Sequence, residues 1–75
     1  LAGVTMVAPE TVFLDDAVEL ARDVVLHPGV HLLGATRVGE GAAVGPYAVL
    51  TDCTVAPGAW VSPLTVATGE TFGSG

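Results

Sequence analysis

Stepping along the chain by six from Leu14 lands on Leu20, Leu26, Leu32, Val38, Val44 and Leu50, seven aliphatic positions in succession. With 8 Leu and 13 Val among 75 residues, a run of seven in any of the six phases arises by chance roughly once in a thousand sequences when counted as a template match. A second restricted position lies four residues after each, at Val18, Val24, Val30, Thr36, Ala42 and Ala48, all small or β-branched. Across each repeat boundary the two sets fall two residues apart, as in Val30 and Leu32. That is strand spacing and puts both side chains on one face. The intervening triplets, such as His27-Pro28-Gly29, Gly45-Pro46-Tyr47 and Ala56-Pro57-Gly58, have the composition of sharp bends.

A helix needs apolar recurrence near 3.6, and a hairpin meander usually shows turns every eight to twelve residues. Strand, tight corner, strand, with the same face always inward, is the pattern of a solenoid. Three six-residue sides close a triangular coil of about eighteen residues. The predicted fold is all-β, a single-stranded parallel β-helix of about three coils, with inward columns Leu20/Val38/Val55, Leu26/Val44/Val61 and Leu32/Leu50/Ala67. Leu50 to Val55 is five residues rather than six, which predicts a shortened corner at Thr51-Asp52 with Cys53 and Val55 pointing inward. Residues 1–13 read as an extended lead-in interrupted by Pro9, residues 14–67 as the β-helix and residues 68–75 as a flexible tail.

The same stacking predicts the outward ladders. One face carries Glu19, Arg37 and Thr54, and reads as solvated; another carries Val25, Ala43 and Trp60, and the third His31, Val49 and Val66. Two largely apolar faces imply contacts with neighbouring subunits, and a threefold ring using both would cover them. Size points the same way. A compact domain of this length buries only about 60% of its unfolded-chain surface, and a single cysteine provides no internal disulfide, so oligomerisation is the expected supplement.

A net charge of -6, with Arg22 and Arg37 the only Arg or Lys, argues against nucleic acid or an anionic membrane as partner. No apolar run approaches a membrane span, and Leu1 to Val7 lacks the basic region of a signal peptide. With one unpaired Cys these features predict a cytoplasmic protein. The start at Leu1 rather than Met fits a piece of a longer chain.

Candidate chemistry is sparse. His27 and His31 are four apart, a metal-pair spacing on a helix, but here one sits in a turn and the other mid-strand. Structural or surface roles are favoured, with a subunit-bridging metal site or a general base as the sharper alternatives. Asp15, Asp16 and Asp23 read as solvated turn residues before they read as a cation site. Cys53 reads as a small core residue, because no basic group lies near it in sequence to activate a thiolate. The run Gly39-Glu40-Gly41-Ala42-Ala43-Val44-Gly45 spaces its glycines differently from a phosphate-binding loop, and the repeat accounts for them as corner residues. Tyr47 is a turn residue that fits a groove between subunits.

Val38-Gly39-Glu40-Gly41-Ala42-Ala43 and Val44-Gly45-Pro46-Tyr47-Ala48-Val49 resemble the hexapeptide-repeat transferase superfamily. That resemblance implies a left-handed winding, against the general right-handed preference of parallel crossovers. The lead-in Leu1-Ala2-Gly3-Val4-Thr5-Met6-Val7-Ala8-Pro9, with Ala21 to Val30 and Leu33 to Gly39, is similar to the start of the β-helix domain of the bifunctional UDP-N-acetylglucosamine pyrophosphorylase and glucosamine-1-phosphate N-acetyltransferase family. Ala8 stands where that family commonly has Asp, and Ala21 where a repeat glycine is usual. The resemblance implies, for the full enzyme, a homotrimer, acetyl-CoA, Mg and a sugar-phosphate substrate in cell-wall precursor synthesis. For this stretch it implies scaffold: neither the uridylyltransferase glycine-rich loop nor the later coils with the acetyl-transfer residues are here. No catalytic, cofactor-binding or metal residue carries over to any position. A small stand-alone hexapeptide acyltransferase using acetyl-CoA and a metal-dependent relative of the carbonic anhydrase type remain as alternatives.

Overall fold

A computed structural model describes residues 3–73, so residues 1–2 of the expected lead-in and 74–75 of the expected tail lie outside the described residues. The chain winds through four coils of three short strands each. The first coil is β1 (Val4–Met6), β2 (Phe13–Leu14) and β3 (Glu19–Leu20). The second is β4 (Val24–Leu26), β5 (His31–Leu33) and β6 (Arg37–Val38). The third is β7 (Ala43–Val44), β8 (Val49–Thr51) and β9 (Thr54–Val55), and the fourth β10 (Trp60–Val61), β11 (Val66–Thr68) and β12 (Thr71–Phe72). Every third strand pairs in parallel, giving face one (β1-β4-β7-β10), face two (β2-β5-β8-β11) and face three (β3-β6-β9-β12).

The expected columns are present and longer than expected. Leu20, Val38, Val55 and Phe72 align in register on face three, and Leu14, Leu32, Leu50 and Ala67 on face two. Met6, Leu26, Val44 and Val61 align on face one. Both inward positions of the repeat are closed to water, with Val24, Leu26, Val30, Leu32, Ala42, Val44, Ala48, Leu50 and Cys53 fully buried. Small residues at the second position are what the narrow corners of a triangular section accommodate at native packing density.

The solenoid therefore has about four coils rather than about three, and its pairing runs past the expected limits 14–67 at both ends. β1 joins β4 from within the expected lead-in, and β12 joins β9 from within the expected tail. Two features hid them. Met6 aligns with Leu26, two residues beyond the usual coil length, because a 3-10 turn at Pro9–Thr11 takes up the extra chain. Thr11 secures that corner, its hydroxyl donating to the Ala8 carbonyl (2.8 Å) and accepting from the Gly29 N–H (2.9 Å). At the other end the inward position of β12 is aromatic, and Phe72 lies partly buried against the core.

Several corners are β-turns closed by one backbone bond, as from Ala59 N–H to the Ala56 carbonyl (3.1 Å). Pro57 presets φ at the second position of that turn, and Gly58 takes φ +73° at the third, the conformation a type II turn requires. The shortened corner at Thr51-Asp52 is present, and Asp52 takes φ +52° to make it. Val38 consequently aligns with Val55, seventeen residues on, whereas Leu20 aligns with Val38, eighteen on. Thr36 lies beneath this contraction and is fully buried. Its hydroxyl accepts from the Cys53 N–H (3.3 Å), and its single proton lies between the carbonyls of Leu33 (2.7 Å) and Leu50 (3.1 Å).

Replacing Thr36 by Val keeps the shape and removes those bonds. Leaving a buried N–H unpaired costs about 1–3 kcal/mol, so the Thr36→Val chain should unfold at a clearly lower urea concentration with an unchanged slope. An unaltered midpoint would mean the hydroxyl contributes nothing to the short corner.

Candidate functional site

The chemistry-bearing side chains lie on the outside of the prism, and the strand register fixes their neighbours. Face three stacks Glu19, Arg37, Thr54 and Thr71. Arg37 Nε lies 3.6 Å from Glu19 Oε1 with both side chains about two-thirds exposed, so solvent screening leaves the pair little energy. Face one stacks Thr5, Val25, Ala43 and Trp60, and face two Phe13, His31, Val49 and Val66. Periodicity anticipated three rungs of each ladder. Phe13, eighteen residues before His31, adds an exposed aromatic to face two.

The two apolar faces meet at the corner column of His27-Pro28-Gly29, Gly45-Pro46-Tyr47 and Ser62-Pro63-Leu64, called here the apolar edge. Tyr47 and Leu64 protrude from it, and with Phe13, Trp60 and Val66 they are at least half exposed. Carboxylates are placed elsewhere. Asp15, Asp16, Asp52 and Glu70 occupy the corner between faces two and three, Asp23 and Glu40 the corner between faces three and one, and Glu19 face three. Of the eight acidic residues, Glu10 alone lies on the apolar edge, in the Pro9–Thr11 turn.

His27 and His31 do not form a pair. They flank the Pro28-Gly29 bend, and each meets an aromatic ring edge-on. His27 contacts Trp60 at 5.7 Å between centroids (85° between planes), and His31 contacts Phe13 at 6.1 Å (71°). The small Ala43 rung lies between Val25 and Trp60 and leaves room for the indole to lean towards His27. Cys53 is fully buried, and its single thiol proton lies between the carbonyls of Thr51 (3.3 Å) and Ala67 (3.5 Å). It is a core residue.

Two of the corner carboxylates are engaged by backbone. Asp15 Oδ2 accepts from the Gly34 N–H and Asp52 Oδ1 from the Ala35 N–H, both at 2.8 Å. Gly34 takes φ +66°, and a Cβ there would collide with the Asp52 carboxylate. Sequence reasoning missed Asp52 as a corner ligand. Its only signal was the five-residue step that required something to close the shortened bend.

Neither group implied for the full family enzyme fits the residues present. Magnesium wants several oxygen ligands in octahedral array. Among the described residues no group of three or more His, Cys, Asp or Glu converges on a possible metal position, and Asp15 and Asp52 are already committed to N–H groups. A groove of about 330 Å³ runs along face three between Arg37 and Pro57. Its one cation is offset by Glu19, which suits a cofactor bearing several phosphates poorly.

The sequence has counterparts among known proteins. The bifunctional protein GlmU of Thermus thermophilus is 58% identical over 67 residues, covering 89% of this chain and 15% of that protein. This chain is similar to a segment of GlmU. The Rhodococcus jostii GlmU is 53% identical over 77 aligned positions, 96% of this chain and 15% of the relative. The Kineococcus radiotolerans GlmU is 56% identical over 61 residues, 81% of this chain and 12% of the relative. The chain thus spans only about one-seventh of the GlmU proteins it matches. No protein-family model matches it. Similarity to GlmU together with a parallel β-solenoid agrees with the hexapeptide-repeat resemblance drawn from the motifs. No helix among the described residues is long and apolar enough to cross a membrane.

Engagement of the corner carboxylates gives a prediction. Removing the acceptor in Asp15→Ala should lower stability by about 1–2 kcal/mol, as for loss of a charge-assisted hydrogen bond, while millimolar Mg²⁺ should leave the thermal midpoint of the parent chain unmoved. A midpoint that climbed with Mg²⁺ would reveal a bound ion.

Proposed function

We propose that this segment is an assembly scaffold, a left-handed parallel β-helix that trimerises a sugar-nucleotide enzyme of the GlmU kind and contributes no catalytic residue itself. The observation that carries the reading is the segregation of the outer surface. Large exposed apolar side chains gather on faces one and two and their shared edge, while seven of the eight carboxylates lie elsewhere. Exposed patches of this kind mark interaction sites. In a threefold ring each copy uses two different patches, here the faces bearing Val25, Ala43 and Trp60, and His31, Val49 and Val66.

The enzymatic part of the reading is supported by the identity with GlmU. On this reading the parent enzyme works in UDP-N-acetylglucosamine synthesis for the cell wall, in the cytoplasm, and any acetyl-CoA and Mg are bound outside this segment. Left-handed winding is supported by the hexapeptide motifs.

Native mass spectrometry of the chain, combined with calorimetric titration by acetyl-CoA, tests the scaffold reading against the stand-alone acyltransferase. A threefold mass with no acetyl-CoA heat is expected. A monomer would remove the assembly role, and a saturable isotherm would favour the acyltransferase. Trp60→Ala truncates the large aromatic on the last rung of face one. Losses of 2 kcal/mol or more are common for such anchors, so trimer dissociation should rise by roughly thirtyfold or more. A variant that holds together like the parent would exclude Trp60 from the interface.

A further inference from the structure

We infer that His27 and His31 make the assembly acid-sensitive: both imidazoles lie on the proposed contact surface with no carboxylate paired to them, so taking up a proton drives the subunits apart. This rests on the assembly reading above and adds a mode of regulation to it.

The chain has two histidines, and the fold puts both on this one surface. His31 is exposed on face two, on the rung between Phe13 and Val49. His27 follows β4 directly and lies half-buried on the apolar edge, against the Trp60 ring. The rings that meet them are themselves about half exposed, Phe13 at 50% and Trp60 at 54%. Any partner that covers the two faces therefore also covers both imidazoles.

Charged neighbours are few. Beside the two histidines stand the Pro9–Thr11 turn, which brings Glu10, and the Tyr47 ring over the Gly29 corner, which brings a phenol. Among the described residues the ion pair formed is Arg37 with Glu19 on face three, and neither imidazole is paired with a carboxylate. Asp15 and Asp52 lie two to three residues further along the strands of face two, about 7–10 Å away, and their carboxylates accept from the Gly34 and Ala35 N–H groups. Asp16 and Glu70 stand farther round that corner. Asp23, Arg22 and Glu40 stand at the opposite end of face one, about 13 Å or more from His27.

The sign of the effect follows from hydration. Histidine is the side chain that ordinarily changes charge between pH 5 and pH 8, whereas carboxylates ordinarily stay ionised above about pH 5. An imidazolium loses hydration when an apolar face closes over it, and without a counter-charge that loss is not recovered. In a threefold ring face two of one copy meets face one of the next, whose outward ladder of Thr5, Val25, Ala43 and Trp60 carries no charge. Assembled chains thus bind fewer protons than separate ones, and by linkage the assembly loosens as pH falls. The contacts with Phe13 and Trp60 are made within one chain, exist on both sides of the equilibrium and do not set this sign. Protonating both histidines also reduces the net negative charge of -6, which eases long-range repulsion. At physiological ionic strength charges more than about 8 Å apart are largely screened, so the local cost prevails.

The test is sedimentation equilibrium in physiological salt at pH 8 and pH 5.5, on the parent and on a chain carrying both His27→Gln and His31→Gln, which cannot take up the proton. Far-UV circular dichroism of the dilute chains reads folding at both pH values. Dissociation of the parent trimer should rise by roughly tenfold or more on acidification, and that of the double variant by less than about threefold, with the β-spectrum unchanged. His31→Gln alone, a change at an exposed position, should fall between the two and carries the comparison if the double variant does not fold. A parent trimer equally tight at both pH values, or Gln variants as acid-sensitive as the parent, would overturn the inference and leave the assembly reading standing. A parent that is monomeric at pH 8 would overturn both. Loss of the parent's β-spectrum at pH 5.5 would also overturn the inference, since acid would then be acting on the fold.

Discussion

Everything in this molecule depends on keeping each coil in register with the one below, because the backbone groups of one coil are satisfied by the next. Arg37 and Gly39 donate to the carbonyls of Cys53 and Val55 at 2.9 and 2.8 Å, and the same alternation recurs along all three faces. A buried N–H without a partner is expensive, so the chain must return to the same point after every turn. That demand explains the aliphatic pairs spaced two apart, the Pro- and Gly-rich corners, and the local devices wherever the count departs from eighteen. Thr11 closes the long first corner, while Thr36 and Asp52 close the short one.

Register also organises the exterior. Once coil length is set, outward residues stack in ladders whether or not they interact, and composition along each ladder becomes a property of a whole face. In this chain the ladders separate charge from apolar surface, placing Glu19 above Arg37 on face three and gathering Phe13, Trp60 and Val66 on the other two. A prism with two acidic corners and one apolar edge is poorly served by remaining alone in water, and a small core has little stability to spare. The fold and the proposed assembly thus trace to one repeat.

Much of this was legible in the residues. From Leu14 to Leu50 the period shows directly, and it located the inward columns, the corner at Thr51-Asp52 and the membership of each face. The outermost strands, β1 and β12, were not legible, because Met6 stands two residues out of phase and Phe72 substitutes an aromatic for the aliphatic signature. Hydrogen bonding by Asp15, Asp52 and Thr36 was hidden for a different reason: it depends on which corner lies above which. The backbone angles at Tyr47 and Leu64 are likewise set by corner geometry, since neither residue type advertises a left-handed conformation. The edge-on contacts of His27 with Trp60 and of His31 with Phe13 are products of stacking that spacing along the chain does not announce.

The central claim is that side chains about one coil apart in sequence lie one rung apart in space along a common interior. Methyl-to-methyl nuclear Overhauser contacts in a selectively labelled chain measure this directly. The account predicts cross-peaks joining Leu14 to Leu32, Leu32 to Leu50 and Val38 to Val55, with slow amide exchange at Arg37 and Val49. Contacts confined to residues near in sequence, or an antiparallel pattern linking successive strands, would contradict it.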